Sequence, residues 1–485
     1  MTTDGAADPG VTSPPADHRT VSSQAAIYLV GTVGAAGIQF VAIPIFTRTL
    51  GPAAFGELGL VVTVTSMLVS LMGLGSDMVL ARFWFESPDF ASRRRLASQW
   101  ITLMMLWSVV VAMVASGLVL MGSRVLDTPP SLPAALVVGI VALLPQLLAT
   151  MLAQVLRNEF RPWPFSITSV TQAFFRALFG ITLVVVFHVG VVGVLLGMLL
   201  ADLAIVLVRL SLVQLSWTFR VDVKAMRPLL RFGLPFVPGA LAFWAYNGLD
   251  RLVLAGHVDV ETLGAYVAAT ALVAPITIVM TAVAQAWLPF ITDTYMKSSH
   301  RAASMIRSGF EGAVLTYGGL SVVIGYLAAP LIIVIAGPEF EAGAAAIPLL
   351  ALGHVFWGVS LFAASGSTLA KKSGFIPVIS VISVAAEFIT LLLLVPRFGI
   401  VGAAGSVAIG YFLMASAFLL YSQATFPVPL SWWAVTAEVL ALVGAALALS
   451  LSPKSPGLNA LILAILLIFA LRILWLLRRT QALRE

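Results

Sequence analysis

Asn247, Asp250 and Arg251 stand at i, i+3 and i+4 in LPFVPGALAFWAYNGLDRLVL (234–254), an otherwise apolar run. On a helix that spacing places amide, carboxylate and guanidinium on one face. Such groups bind ions or charged ligands; they carry no nucleophile. Two readings are open: an Asp–Arg pair that neutralises itself or sits at the end of a span, or polar groups lining a cavity. Arg176 lies mid-run in SITSVTQAFFRALFGITLVV (166–185), with Gln172 one turn and Thr168 two turns before it. It either pairs with Asp202 on the next apolar run or meets an anionic substrate. Asp77 ends a stripe with Ser66, Ser70 and Gly73; Tyr266, Thr270, Thr277, Thr281 and Gln285 form another, and Tyr28, Thr32 and Gln39 a third. Together the stripes suggest a hydrophilic chamber. Arg48, in RTLGPAAFGELGL (48–60), stands between two apolar runs. His188, His257 and His354 have no metal-ligand spacing, cysteine is absent, and no G-x-x-x-x-G-K-[ST] loop occurs. The site residues read as binding chemistry, without a catalytic, metal or cofactor set.

The elements that position them are set by the solvent. The chain has 485 residues, 60% hydrophobic and 10% charged, with mean hydropathy +1.04; soluble domains carry about 25% charged residues. Runs of about 20 apolar residues, enough for one crossing, recur along it, and backbone inside hydrocarbon must satisfy its own hydrogen bonds as helix. The expectation is an all-α polytopic membrane protein of about 14 spans. Residues 1–24 read as a disordered tail, 25–215 and 225–425 as two six-helix bundles, 430–478 as an extra helix pair and 479–485 as a second tail. The first apolar run begins only at Ala25 and is long enough to span, so it is expected to remain in the mature protein.

With the N-terminus inside, 18 Lys and Arg fall in inside segments and 4 outside. That excess predicts both termini in the cytoplasm and a place in the cytoplasmic membrane. A weak repeat links FGELGLV (55–61) to LGAYVAA (263–269) and GVVGVLLG (190–197) to GIVGAAGS (399–406). Two halves inserted the same way up are related by an axis along the membrane normal, with a substrate site between them. The net charge of +6 reflects this bias and predicts no nucleic-acid partner.

RTLGPAAFGELGL, GLGSDMVLAR (73–82), VLRNEFRPWPFS (155–166) and LDRLVLAGHVDVETLGAYVAA (249–269) together resemble Wzx-type polysaccharide flippases. That polysaccharide transport family belongs to the MOP superfamily, with MATE exporters and the flippase MurJ. The resemblance covers about 20–425. It implies alternating access by the two bundles, carrying an undecaprenyl-pyrophosphate-linked oligosaccharide to the outer leaflet for surface polysaccharide biosynthesis. A cationic cavity would include Arg48, Arg176 and Arg251, and the extra pair would extend a groove for the lipid tail. Partners would be the lipid bilayer and polysaccharide polymerase and export machinery; energy would come from proton or sodium coupling through Asp77 or Asp250, or from use of the product. The other readings are a MATE-like small-molecule exporter and an integral-membrane glycan polymerase or ligase.

Overall fold

A computed structural model describes residues 18–125, 131–215, 222–372, 374–451 and 455–482. Its elements are helical, and no strand occurs among the described residues. The first half holds α1 (His18–Gly73), α2 (Ser76–Glu86), α3 (Phe90–Gly122), α4 (Ser131–Asn158), α5 (Pro162–Ile181) and α6 (Val191–Val213). The second holds α7 (Val223–Gly233), α8 (Phe236–Ala255), α9 (Val260–Lys297), α10 (Ser299–Tyr326), α11 (Ala328–Ile335), α12 (Ile347–Ala363), α13 (Ser365–Leu369) and α14 (Ile376–Thr425). The pair α15 (Trp432–Leu451) and α16 (Pro456–Ala482) follows. The chain is thus already helical at His18, inside the tail expected over 1–24; residues 1–17 of that tail and 483–485 of the last lie outside the described residues.

A straight helix of 56 residues would be about 84 Å long, against about 30 Å of hydrocarbon. α1 therefore folds back, and it does so at Gly51 (φ 74°, ψ 173°), backbone that essentially only glycine adopts. Its neighbours show the reversal. In the first arm (18–50), Gly31 meets Ser166 and Phe46 meets Gly180, so this arm runs parallel to α5. In the second arm (52–73), Val61 and Thr65 meet Gly139, and further on Asn158 Nδ2 donates to the Leu80 carbonyl at 2.9 Å. That arm runs parallel to α4, the antiparallel neighbour of α5. α14 doubles back likewise at Gly399 (φ 52°, ψ −128°), setting Leu394 against Gly402 and Glu387 against Gly410. Among the described residues, ten helical stretches are long and apolar enough to cross a membrane, and two bent pairs, α7 with α8 and α10 with α11, make twelve. Counting both arms of α1 and of α14 gives fourteen, in line with the expected number.

The repeat seen in sequence is also a repeat of backbone. Gly190 (φ 65°, ψ −143°) before α6 and Gly399 in α14 occupy the same position of the two GxxG segments, and both take a left-handed φ with strongly negative ψ. Asp89 and Asp259 cap α3 and α9 by accepting from the Ser92 and Thr262 amides at 2.8 and 2.7 Å. These bonds hold both loop carboxyls below the usual range. The extra pair docks on α10, where Leu442 packs at Gly318 and Arg307 donates to Ser431 Oγ at 2.6 Å; within the pair, Arg472 on α16 meets Glu438 on α15 at 2.7 Å.

Candidate functional site

A cavity of about 360 Å³ opens between the halves. Gln39 and Phe46 from the first arm of α1, Phe55 and Leu58 from the second, Met198 from α6, and Ala274 and Pro275 from α9 line it, with Arg176 from α5. Gln39 and Arg176 are its polar lining residues; the others are apolar. Arg176 is pinned from behind. Its Nε and Nη2 donate to the two oxygens of Asp202 at 2.8 and 2.7 Å, and Gln172 adds a bond to the same carboxylate at 2.7 Å. Asp202 is fully buried on α6. The pair expected between these two residues is therefore made, and the same guanidinium borders the cavity, with Nη1 making no hydrogen bond among the described residues. A bidentate pair fixes the guanidinium plane, so the cation is held in place before any ligand arrives.

Arg48, Asp77, Asn247, Asp250 and Arg251 are not among the residues that line this cavity. Arg48 Nη2 donates to the Val334 carbonyl at the end of α11, at 2.6 Å, so it bridges the halves. Asp77 opens α2 beyond a break at Leu74 and Gly75, both with positive φ. Asn247 bonds its own helix at the Phe243 carbonyl, 2.8 Å, and is exposed. Asp250 turns into the second half, where Tyr266 Oη donates to it at 2.6 Å. Arg251 reaches Thr270 Oγ1 at 3.0 Å, and the Asp250–Arg251 side-chain ion pair does not form among the described residues. The hydrophilic chamber is corrected too. Hydroxyls of Thr32, Ser66, Thr270 and Thr281 donate to carbonyls three or four residues back. That bonding satisfies them on their own helices and leaves the walls apolar.

Sequence reasoning passed over two buried groups. Glu387 on α14 is fully buried, and neither carboxylate oxygen has a hydrogen-bond partner among the described residues. Tyr246 and Tyr411 stack beside it with ring centroids 5.0 Å apart. Arg209 on α6 is 2% exposed and is held by Thr168, Ser169 and the Ala149 carbonyl. Each is a lone ionisable residue within an apolar run, the same signal that singled out Arg176.

Residues 22–295 match the family described as polysaccharide biosynthesis protein. A relative from Haemophilus influenzae, Lsg locus putative protein 1, is 21% identical over 279 residues; the match spans 56% of this chain and 66% of that protein, just under two thirds. Among solved structures, the lipid II flippase MurJ in an inward closed conformation superposes with TM-score 0.72 at 13% identity, over 92% of this chain and 98% of MurJ. A Vibrio cholerae MATE transporter does so with TM-score 0.58 at 14% identity, over 84% and 96% of the two chains. A multidrug resistance MATE transporter of the MOP superfamily, inward-facing, gives 0.60 at 15%, over 83% and 95%. The chain is a multi-pass membrane protein of the polysaccharide biosynthesis family, with the fold seen in the lipid II flippase MurJ and in MATE transporters.

Proposed function

We propose that the protein flips undecaprenyl-pyrophosphate-linked oligosaccharide repeat units across the cytoplasmic membrane by alternating access, supplying surface polysaccharide biosynthesis. The observation that carries this reading is the cavity between the halves: apolar walls with one fixed cation, Arg176. An amphiphile joining a prenyl chain to a pyrophosphate matches that combination, since the guanidinium offers directed donors to phosphate oxygens and the walls accept the lipid. The excess of Lys and Arg on the face bearing Arg82 sets that face, and both termini, in the cytoplasm. Polymerase and export machinery would take the product. Transport is driven by a proton or sodium gradient acting on Asp250 and Glu387.

Deleting the gene tests the cargo. Full-length lipid-linked repeat units should accumulate on the cytoplasmic face; normal translocation with unpolymerised units outside would assign the protein to polymerisation instead. For the site, the paired change Arg176→Met with Asp202→Leu, which strands no buried charge, should lower transport to background while leaving folded protein in the membrane, and unchanged transport by the folded double variant would overturn the cation's role.

A further inference from the structure

The second arm of α1 and α2 touch the other half at two levels. Near Gly51, Gly56 and Gly264 lie backbone to backbone: a Cβ on Gly56 would stand 2.9 Å from the Gly264 nitrogen, and one on Gly264 would stand 3.0 Å from the Gly56 nitrogen and overlap the Pro52 carbonyl. Gly59 packs at Val267 one turn further on, and Trp244 donates to the Thr63 carbonyl at 2.9 Å. The Arg48–Val334 bond sits at the end of this contact. At the other level a Cβ on Gly75 would stand 2.9 Å from the Gly233 carbonyl oxygen, and one on Gly233 would stand 3.0 Å from Val79 Cγ2. The Arg82 guanidinium lies over the Phe232 ring, 4.9 Å from its centroid. Between the levels Gly73 and Gly239 face open space.

We infer that these two glycine contacts are the gates of the transport cycle, Gly56–Gly264 closing one face of the membrane and Gly75–Gly233 the other. The inference rests on the alternating-access reading above. Nineteen residues separate Gly56 from Gly75, about 28 Å along a helix, so the contacts lie near opposite edges of the hydrocarbon core. Both bring main chain against main chain at a glycine, with Val267 beside the first contact and Val79 and Phe236 beside the second, so little side-chain volume separates the halves there. Each is fastened at its edge by one Arg that can exchange its partner for water. Gly56 and Gly264 also hold the same place in the internal repeat, FGELGLV and LGAYVAA. Contact between equivalent residues places that gate on the axis relating the halves, where rocking parts both sides equally.

The chain has no cysteine, so disulfides can lock each contact in the otherwise unaltered full chain. The Gly59 Cβ position is 3.3 Å from Val267 Cβ, close to the roughly 3.5–4.5 Å of a disulfide, and Val79 with Gly233 gives the second pair. An Ala274→Cys reporter in the cavity wall is then labelled with a membrane-impermeant maleimide added from either side. With Gly59→Cys and Val267→Cys oxidised, labelling from the Gly51 face should fall at least about tenfold below labelling from the Arg82 face. With Val79→Cys and Gly233→Cys oxidised, the preference should invert, and in both cases, in the chain without the Ala274→Cys reporter, reduction should restore transport. Formation of the cross-link itself reports native packing. Labelling that ignores both cross-links, or transport that persists through either, overturns the gates. Sidedness that switches as expected in a protein whose deletion leaves lipid-linked oligosaccharides unchanged upholds the gates and overturns the cargo assignment.

Discussion

Asp202 holds Arg176 by two bonds of 2.8 and 2.7 Å from a fully buried position. Removing one partner of such a pair strands the other charge, at a cost of about 3–5 kcal/mol. Asp202→Asn should therefore reduce folded protein more than the double change Arg176→Met with Asp202→Leu, which removes both charges. The double variant should remain folded, by size-exclusion profile and melting in detergent, while transport stays at background. Equal losses of fold in the two would show that Arg176 serves packing alone. The sequence made this pair legible, because an Arg in mid-span needs a partner and Asp202 was the nearest acid on the next span. It did not reveal that Asp250 turns away from the cavity toward Tyr266. Spacing fixes which helical face a residue shares but not which neighbour that face meets.

Helices and their reversals were the more readable scale, since apolar length alone decides how many crossings a chain can make. RTLGPAAFG announced a turn through its Gly-Pro step, and the structure puts the break at Gly51. The reversal at Gly399 lies in FGIVG without a polar loop, so hydropathy separates its two arms poorly; the matching Gly190 segment was the better clue. Left-handed backbone of this kind costs a side chain about 1–3 kcal/mol. Gly399→Val should lower the melting midpoint measured by intrinsic fluorescence, whereas Gly444→Ala, where the added Cβ meets open space within a helix, should leave it unchanged or raise it. The extra pair was legible as two more spans, but its anchor was not, because Glu438 and Arg472 lie 34 positions apart on different helices. Arg472→Ala should loosen α16 from α15 and thereby weaken the seat of the pair on α10, seen as faster proteolysis at the 426–431 connection. An unchanged cleavage rate would mean that apolar packing at Gly318 and Leu442 holds the pair without the ions.

Across the molecule the buried charges divide by sign. Among the described residues, the first half holds Arg176 and Arg209 against Asp202, and the second holds Asp250 and Glu387 against Arg251, besides Glu311, which Arg307 pairs. An anionic cargo is therefore met by the half with surplus cation, and a small cation suits the half with surplus acid. A fully buried carboxylate without a hydrogen bond among the described residues, as Glu387 is, is stabilised by a proton or a sodium ion. That is the arrangement through which an ion gradient can bias a two-state transporter, because the ligand shifts only the state that binds it better. Glu387→Gln keeps the shape and removes the unpartnered charge, so folding should be unchanged or improved. In proteoliposomes the parent protein should flip lipid-linked oligosaccharide faster when a proton or sodium gradient is imposed. Glu387→Gln should flip at one rate with or without the gradient, and the double variant Arg176→Met with Asp202→Leu should not flip at all. A gradient response retained in full by Glu387→Gln would move the coupling site away from this cluster, to Asp77 on the other half.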